Sequence, residues 1–124
     1  YESLEEAVEA FGIEAPIVPK EIPERFELVE VRAVQRKLGV LIYAEYKSTD
    51  GVFQVRYNEA AAQEFNTLEK ESSAVDSYFN GGIEHRLTSD LGLQKAVWQN
   101  GDFECCIQGY ISKEEAISAI DSIY

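Results

Sequence analysis

The sequence predicts an α+β domain, an antiparallel sheet of about six strands with N-terminal and C-terminal helices packed on it. Three observations lead there. Apolar residues recur at helical spacing near the two termini, each time behind a Ser-x-x-Glu start signal. Between them the period falls to two, over short runs separated by turn residues. No strand–helix–strand alternation occurs, which disfavours a parallel sheet and leaves helices laid on an antiparallel one.

At the N-terminus, Ser3-Leu4-Glu5-Glu6 reads as a capping box, and Leu4, Ala7, Val8 and Phe11 follow at helical spacing before Gly12 stops the helix. The segment Ala15–Pro23 contains Pro16, Pro19 and Pro23. It is expected to be an extended connector, because proline cannot donate to a central ladder.

From Phe26 onward the alternation begins. Val29, Val31 and Ala33 alternate with Glu30, Arg32 and Val34; Val40–Lys47 follows, with Ile42, Ala44 and Tyr46 on one face. Ser48-Thr49-Asp50-Gly51 supplies a hairpin turn, after which Phe53, Val55 and Tyr57 alternate with Gln54 and Arg56. These segments predict a three-stranded meander.

Asn58–Ser73 is ambiguous. Ala60-Ala61-Ala62 and the Glu/Lys content favour helix, with Asn58 as a cap, yet Phe65 and Leu68 give only a thin apolar stripe. A partly helical excursion is expected, then a short strand over Val75–Phe79 and a turn at Asn80-Gly81-Gly82.

Ile83, His85 and Leu87 mark the next strand, and Ser89-Asp90-Leu91-Gly92 turns into Leu93–Gln99. Asn100-Gly101 is a strong hairpin signal, since both residues tolerate the positive φ of a type I′ turn. A loop of those two residues would set Trp98 opposite Phe103, Ala96 opposite Cys105 and Gln94 opposite Ile107. Trp98, Phe103, Cys105 and Ile107 then form a core face, and Lys95, Val97, Glu104 and Cys106 a wetter one. Ser112-Lys113-Glu114-Glu115 opens the last helix, whose buried stripe is Ala116, Ile117, Ile120 and Ile123.

The 124 residues, 45% hydrophobic and 27% charged, suit a single folded domain over 1–124. No repeat, low-complexity tract or linker divides them. No run approaches the roughly 20 apolar residues that span a bilayer; the longest apolar cluster, Leu38–Ala44, is strand-sized and broken by Gly39. Methionine is absent and the chain begins at Tyr1. It is therefore expected to be the body of a longer protein, shortened by anything from an initiator Met to a signal or membrane segment.

A net charge of −12 argues against nucleic acid, because phosphate contacts need a Lys/Arg surface. Residues 1–30 hold nine Glu against Lys20 and Arg25, while Arg32, Arg36, Lys37, Lys47 and Arg56 follow. This reads as a solvated acidic face, with a docking surface for a basic partner as the alternative.

Catalytic chemistry is not apparent. Cys105 and Cys106 are adjacent, so on a strand they point to opposite faces, and they lack the spacing of a zinc or CxxC redox site. His85 is the single histidine and has no metal-ligand partner at helical spacing. Glu5/Glu6 and Glu114/Glu115 lie in first helical turns, where negative charge favours the dipole. Gly81-Gly82 reads as a turn rather than a phosphate cradle. Tyr43, Tyr46, Phe53, Tyr57 and Tyr110 read mainly as core, with a concave aromatic binding face as the alternative. No catalytic, cofactor-binding or metal residue is expected, and enzyme function ranks third.

The C-terminal third resembles a known family. Gly82-Ile83-Glu84-His85, the run Ala96-Val97-Trp98-Gln99-Asn100-Gly101-Asp102-Phe103-Glu104-Cys105, Ile111-Ser112-Lys113-Glu114-Glu115 and Ile120-Asp121-Ser122-Ile123-Tyr124 are similar to the closing pattern of domain of unknown function 4367. Pro19-Lys20-Glu21-Ile22-Pro23 and Tyr43–Tyr46 agree more loosely. The resemblance implies the extracytoplasmic part of a Gram-positive membrane protein, behind a single transmembrane helix, in some cases within anti-sigma-like or envelope regulators. It implies membrane attachment only through a segment absent from this chain. No catalytic residues belong to the pattern. The expected function is a non-catalytic binding or sensing module that engages a protein, peptide or envelope component through the sheet face or the aromatic strands. The alternative is a small-ligand or lipid carrier with a cavity beneath a curved sheet. The earlier strands, the acidic N-terminus and Asn58–Phe79 are the segments where function is expected to reside.

Overall fold

The computed structural model describes residues 1–14, 16–37, 39–59 and 75–124, so all but the first two residues of the helical excursion expected over Asn58–Ser73 lie outside the described residues. The elements run α1 (Leu4–Ala10), β1 (Glu27–Arg36), β2 (Gly39–Ser48), β3 (Gly51–Glu59), β4 (Val75–Asn80), β5 (Ile83–Asp90), β6 (Leu93–Asn100), β7 (Phe103–Gly109) and α2 (Lys113–Asp121). The α+β expectation holds, with seven strands in one antiparallel sheet ordered β1-β2-β3-β7-β6-β5-β4. Two meanders, β1–β3 and β4–β7, are joined where β3 pairs with β7.

Both helices begin at the serines the sequence predicts, although α1 forms only the Ser3 half of its expected capping box. Ser3 Oγ accepts the Glu6 amide at the start of α1, and Gly12 follows with φ 68°. At α2 the capping box is complete, with the Ser112 side chain on the Glu115 amide and the Glu115 carboxylate on the Ser112 amide. Such caps contribute about 1 kcal/mol each.

One core lies between the sheet and the helices. Ile42, Ala44, Phe53, Val55, Tyr57, Leu87, Ala96, Trp98, Cys105 and Ile107 project from one sheet face onto Leu4, Ala7 and Val8 of α1 and Ala116, Ala119 and Ile120 of α2. The expected core face of the last hairpin, Trp98, Phe103, Cys105 and Ile107, is buried there.

Three expectations need correction. In the last hairpin Asn100 pairs with Phe103 and Trp98 with Cys105, so the two loop residues are Gly101 and Asp102, not Asn100 and Gly101. Gly101 alone has positive φ in that loop, at 62°, as a type II′ turn requires at its first position. The shift moves each partner by two residues, so parity is kept and the faces do not change.

The second correction concerns the wetter face, where Val97 and Cys106 are buried. They sit side by side in a cross-strand row that runs Tyr43, Arg56, Cys106, Val97, Arg86. Arg56 and Arg86 flank the two small side chains in that row. Third, Asn58 is not a helix cap: it belongs to β3, paired with Leu41 and Glu104.

Candidate functional site

The Pro-rich connector is a strap across the core side. Ile17 is fully buried, and the buried Tyr57 hydroxyl donates to its carbonyl at 2.6 Å. Asn100 Nδ2 donates to the Pro16 carbonyl, while the Lys20 and Glu21 amides both donate to Ser122 Oγ beyond α2. Arg25 fastens the far end: it grips Glu115 through two hydrogen bonds of 2.5 and 3.0 Å, pairs with Asp50 and lies over the Phe26 ring. The Arg25 hydrogen bonds, with the Ser112 amide, pull the Glu115 carboxyl down to about 2.

Where the strap starts, a groove of about 430 Å³ opens at the end of the sheet. Its walls come from four places: the turn after α1, the β1–β2 end, the end of β3 and the β6–β7 turn. Phe11, Ile13, Val40 and Phe103 supply apolar surface, and Glu14, Glu59 and Asp102 supply carboxylates. Among the described residues, no Lys or Arg lines it, and Arg36 reaches its edge at the Glu59 carbonyl. Glu59 is fixed there because its Oε1 accepts the Val40 amide at 3.1 Å. Gly39, at φ 136°, makes this fit possible, since a Cβ there would stand 2.7 Å from the Glu59 carbonyl oxygen. An apolar floor with fixed negative charge and no lining cation suits a positively charged guest with an aliphatic body.

A second cluster lies at the opposite side, under β4 and β5. His85 is fully buried, with Nδ1 3.0 Å from the Tyr78 carbonyl and Nε2 2.9 Å from the Tyr124 hydroxyl. Its ring centroid is 4.9 Å from that of Trp98 and 5.7 Å from that of Tyr124. Burial pushes the His85 pKa down, opposed by backbone hydrogen bonds and by Asp121. Trp98 Nε1 is buried and makes no hydrogen bond with the described residues.

The remaining residues singled out in the sequence have structural places. Cys105 and Cys106 are unpaired thiols on opposite sheet faces, and burial pushes both pKa values up. Glu5, Glu6 and Glu114 are exposed in first helical turns. Phe53 and Tyr57 are core, and Tyr46 packs edge-on against Phe53 at 5.9 Å. Tyr43 lies on the other sheet face, hydrogen-bonded to Glu45 and Gln54 beneath the Arg32 guanidinium. Tyr110 is half exposed beside Gly51. The aromatic strands therefore face the core for the most part and form no single aromatic surface.

No residue of the groove stood out in the sequence as a site residue. Only the excess of Glu over residues 1–30 pointed toward it, and only as a charge. Among the described residues, no group of three or more His, Cys, Asp or Glu side chains is placed to hold a metal ion. Nor is any helix among them long and apolar enough to cross a membrane.

No curated protein matches the chain. Among solved structures it is similar to a Thermotoga maritima protein described as a GTP binding regulator, with 13% identity and a TM-score of 0.56, over 95% of this chain and 83% of that one. At that identity the likeness concerns the fold alone. The sequence model of the family described as domain of unknown function DUF4367 matches residues 16–123. That span takes in the strap from Pro16 onward, every described strand and all of α2, and the chain belongs to the DUF4367 family.

Proposed function

We propose that this chain is a non-catalytic extracytoplasmic binding or sensing module whose docking site is the acidic groove between the α1 turn and the β6–β7 turn. The observation that carries the reading is the groove itself: three carboxylates beside apolar walls, with no Lys or Arg among the described residues that line it. Its guest is a segment of a partner protein that presents Lys or Arg beside an apolar side chain. Ion pairs at a partly open groove contribute only about 0.2–1 kcal/mol each, so affinity would come from several together with apolar burial. The extracytoplasmic placement, behind a membrane anchor and within an envelope or anti-sigma-like regulator, rests on the family resemblance.

The carrier reading has less support. Ile17, Ile42, Val55, Tyr57, Ile107, Ala116 and Ile120 fill the space between sheet and helices to about full burial. A nucleotide site, as the description of the Thermotoga protein would suggest, has none in this groove, where carboxylates would repel phosphate. The test is a calorimetric titration with a short peptide of alternating Lys and Leu, at low and at physiological salt. Saturable binding that Asp102→Asn and Glu14→Gln weaken supports the groove; binding indifferent to both removes it.

A further inference from the structure

The single histidine and the single tryptophan of the chain, both buried, meet the partly exposed Tyr124 in one ring cluster. Its hydrogen bonds fix the proton on His85. A backbone carbonyl only accepts, so Nδ1, 3.0 Å from the Tyr78 carbonyl, carries the hydrogen. Nε2 is then the lone-pair nitrogen and accepts the Tyr124 hydroxyl at 2.9 Å. Burial pushes the Tyr124 hydroxyl up to about 12, so it stays a donor at any ordinary pH.

The same few residues hold the end of α2 on the β4–β5 hairpin. Asp121 Oδ1 accepts from the Tyr78 hydroxyl at 2.5 Å and from Asn80 Nδ2 at 2.8 Å. Gly81, with φ 61°, lets the Tyr124 ring lie on the turn, where a Cβ would come within 2.6 Å of the ring. The anchoring strand is weakly held, because among the described strands β4 lies at the sheet edge and pairs with β5 alone. Local opening of such an edge costs less than global unfolding.

A second proton on His85 upsets this arrangement. Nε2 becomes a donor aimed at a hydroxyl that was donating to it, and a positive charge enters the core. The titratable groups that face the ring are Tyr78 from β4, Tyr124 and Asp121 from the α2 end, and Cys105 from β7 beside Tyr124. Asp121 is the one carboxylate among them, and its Oδ1 is already engaged by Tyr78 and Asn80. Trp98 of β6 offers a ring face without charge.

We propose that His85 and Tyr124 form an acid-released latch: a proton from solvent on Nε2 breaks the bond to the Tyr124 hydroxyl and frees the end of α2 from the β4–β5 hairpin, while the central strands stay paired. The sign follows from linkage. A histidine held neutral by burial stabilises fully above its ordinary value of 6.5, and that contribution is lost as pH falls below it.

The test is amide hydrogen exchange of the full chain between pH 7.5 and pH 5, corrected for intrinsic rates, with Trp98 emission followed in parallel. Protection over 117–124 and 76–80 is expected to fall about tenfold for each unit by which the imidazole value is depressed. The β3, β6 and β7 amides keep theirs, and Trp98 emission drops over the same range as imidazolium forms beside the indole. Tyr124→Phe keeps the ring but removes the hydroxyl, and His85→Phe removes the titration. In either variant that folds, the acid-dependent change over 117–124 disappears. Loss of protection spread evenly over the sheet, no change at all, or an unaltered acid response in Tyr124→Phe would overturn the latch.

Discussion

The hydroxyl of Tyr57, on the buried face of β3, donates to the backbone carbonyl of Ile17 at 2.6 Å and so binds the strap to the middle of the sheet. Both residues are fully buried, so neither group has water as a substitute. Tyr57→Phe would leave that carbonyl without its partner. The expected cost is about 1–3 kcal/mol, read as a lower urea midpoint at unchanged slope. An unchanged midpoint would mean that the strap is not held by this bond.

The Arg25–Glu115 pair has a defined pH signature. The Glu115 carboxyl, held down at about 2 against an ordinary 4.5, contributes stability above pH 4.5 that is lost as pH falls toward 2. Glu115→Gln should therefore melt below the parent protein at pH 5.5, with the gap closing as acid is added. A gap that stays constant between pH 5.5 and pH 2 would show that neither the Arg25 pair nor the Ser112 amide bond draws its strength from the Glu115 charge.

Both cysteines are expected to be inert in the folded protein. Burial raises both thiol pKa values, so little thiolate forms near neutral pH. A thiol-reactive disulfide reagent should label neither until urea unfolds the chain, and then should label both. Prompt labelling of Cys106 in buffer would show that its sheet face is more open than its burial between Arg56 and Val97 implies.

Much of this fold is written locally. Ser112 and Glu115 form their box within four residues, and the alternation through Trp98, Phe103, Cys105 and Ile107 survives any shift of register by two. The turn between β6 and β7 was misplaced by one residue because Asn100-Gly101 and Gly101-Asp102 both satisfy hairpin chemistry. The acidic Asp102 prevails as the second turn residue, which frees Asn100 to hold the strap at Pro16. The burial of Val97 and Cys106 arises only in the assembled sheet, where strand pairing sets Arg56 and Arg86 beside them. The groove was illegible for the same reason, since Ile13, Val40, Glu59 and Asp102 are distant in sequence and meet only at the end of the assembled sheet. His85 and Tyr124, 39 residues apart, share no local pattern at all.

If the groove receives a basic, partly apolar segment, binding must depend on the side chains of its walls. Removing one carboxylate, as in Asp102→Asn, should weaken binding of a Lys/Leu peptide about two- to fivefold, the scale of one partly exposed ion pair. The most direct measurement is amide chemical-shift mapping of the full chain during titration with that peptide. Saturable shifts are expected at residues 11–14, 59 and 100–103, fading as salt is raised. Shifts spread evenly over the acidic surface, or centred on Tyr43 and the opposite sheet face, would contradict docking in the groove.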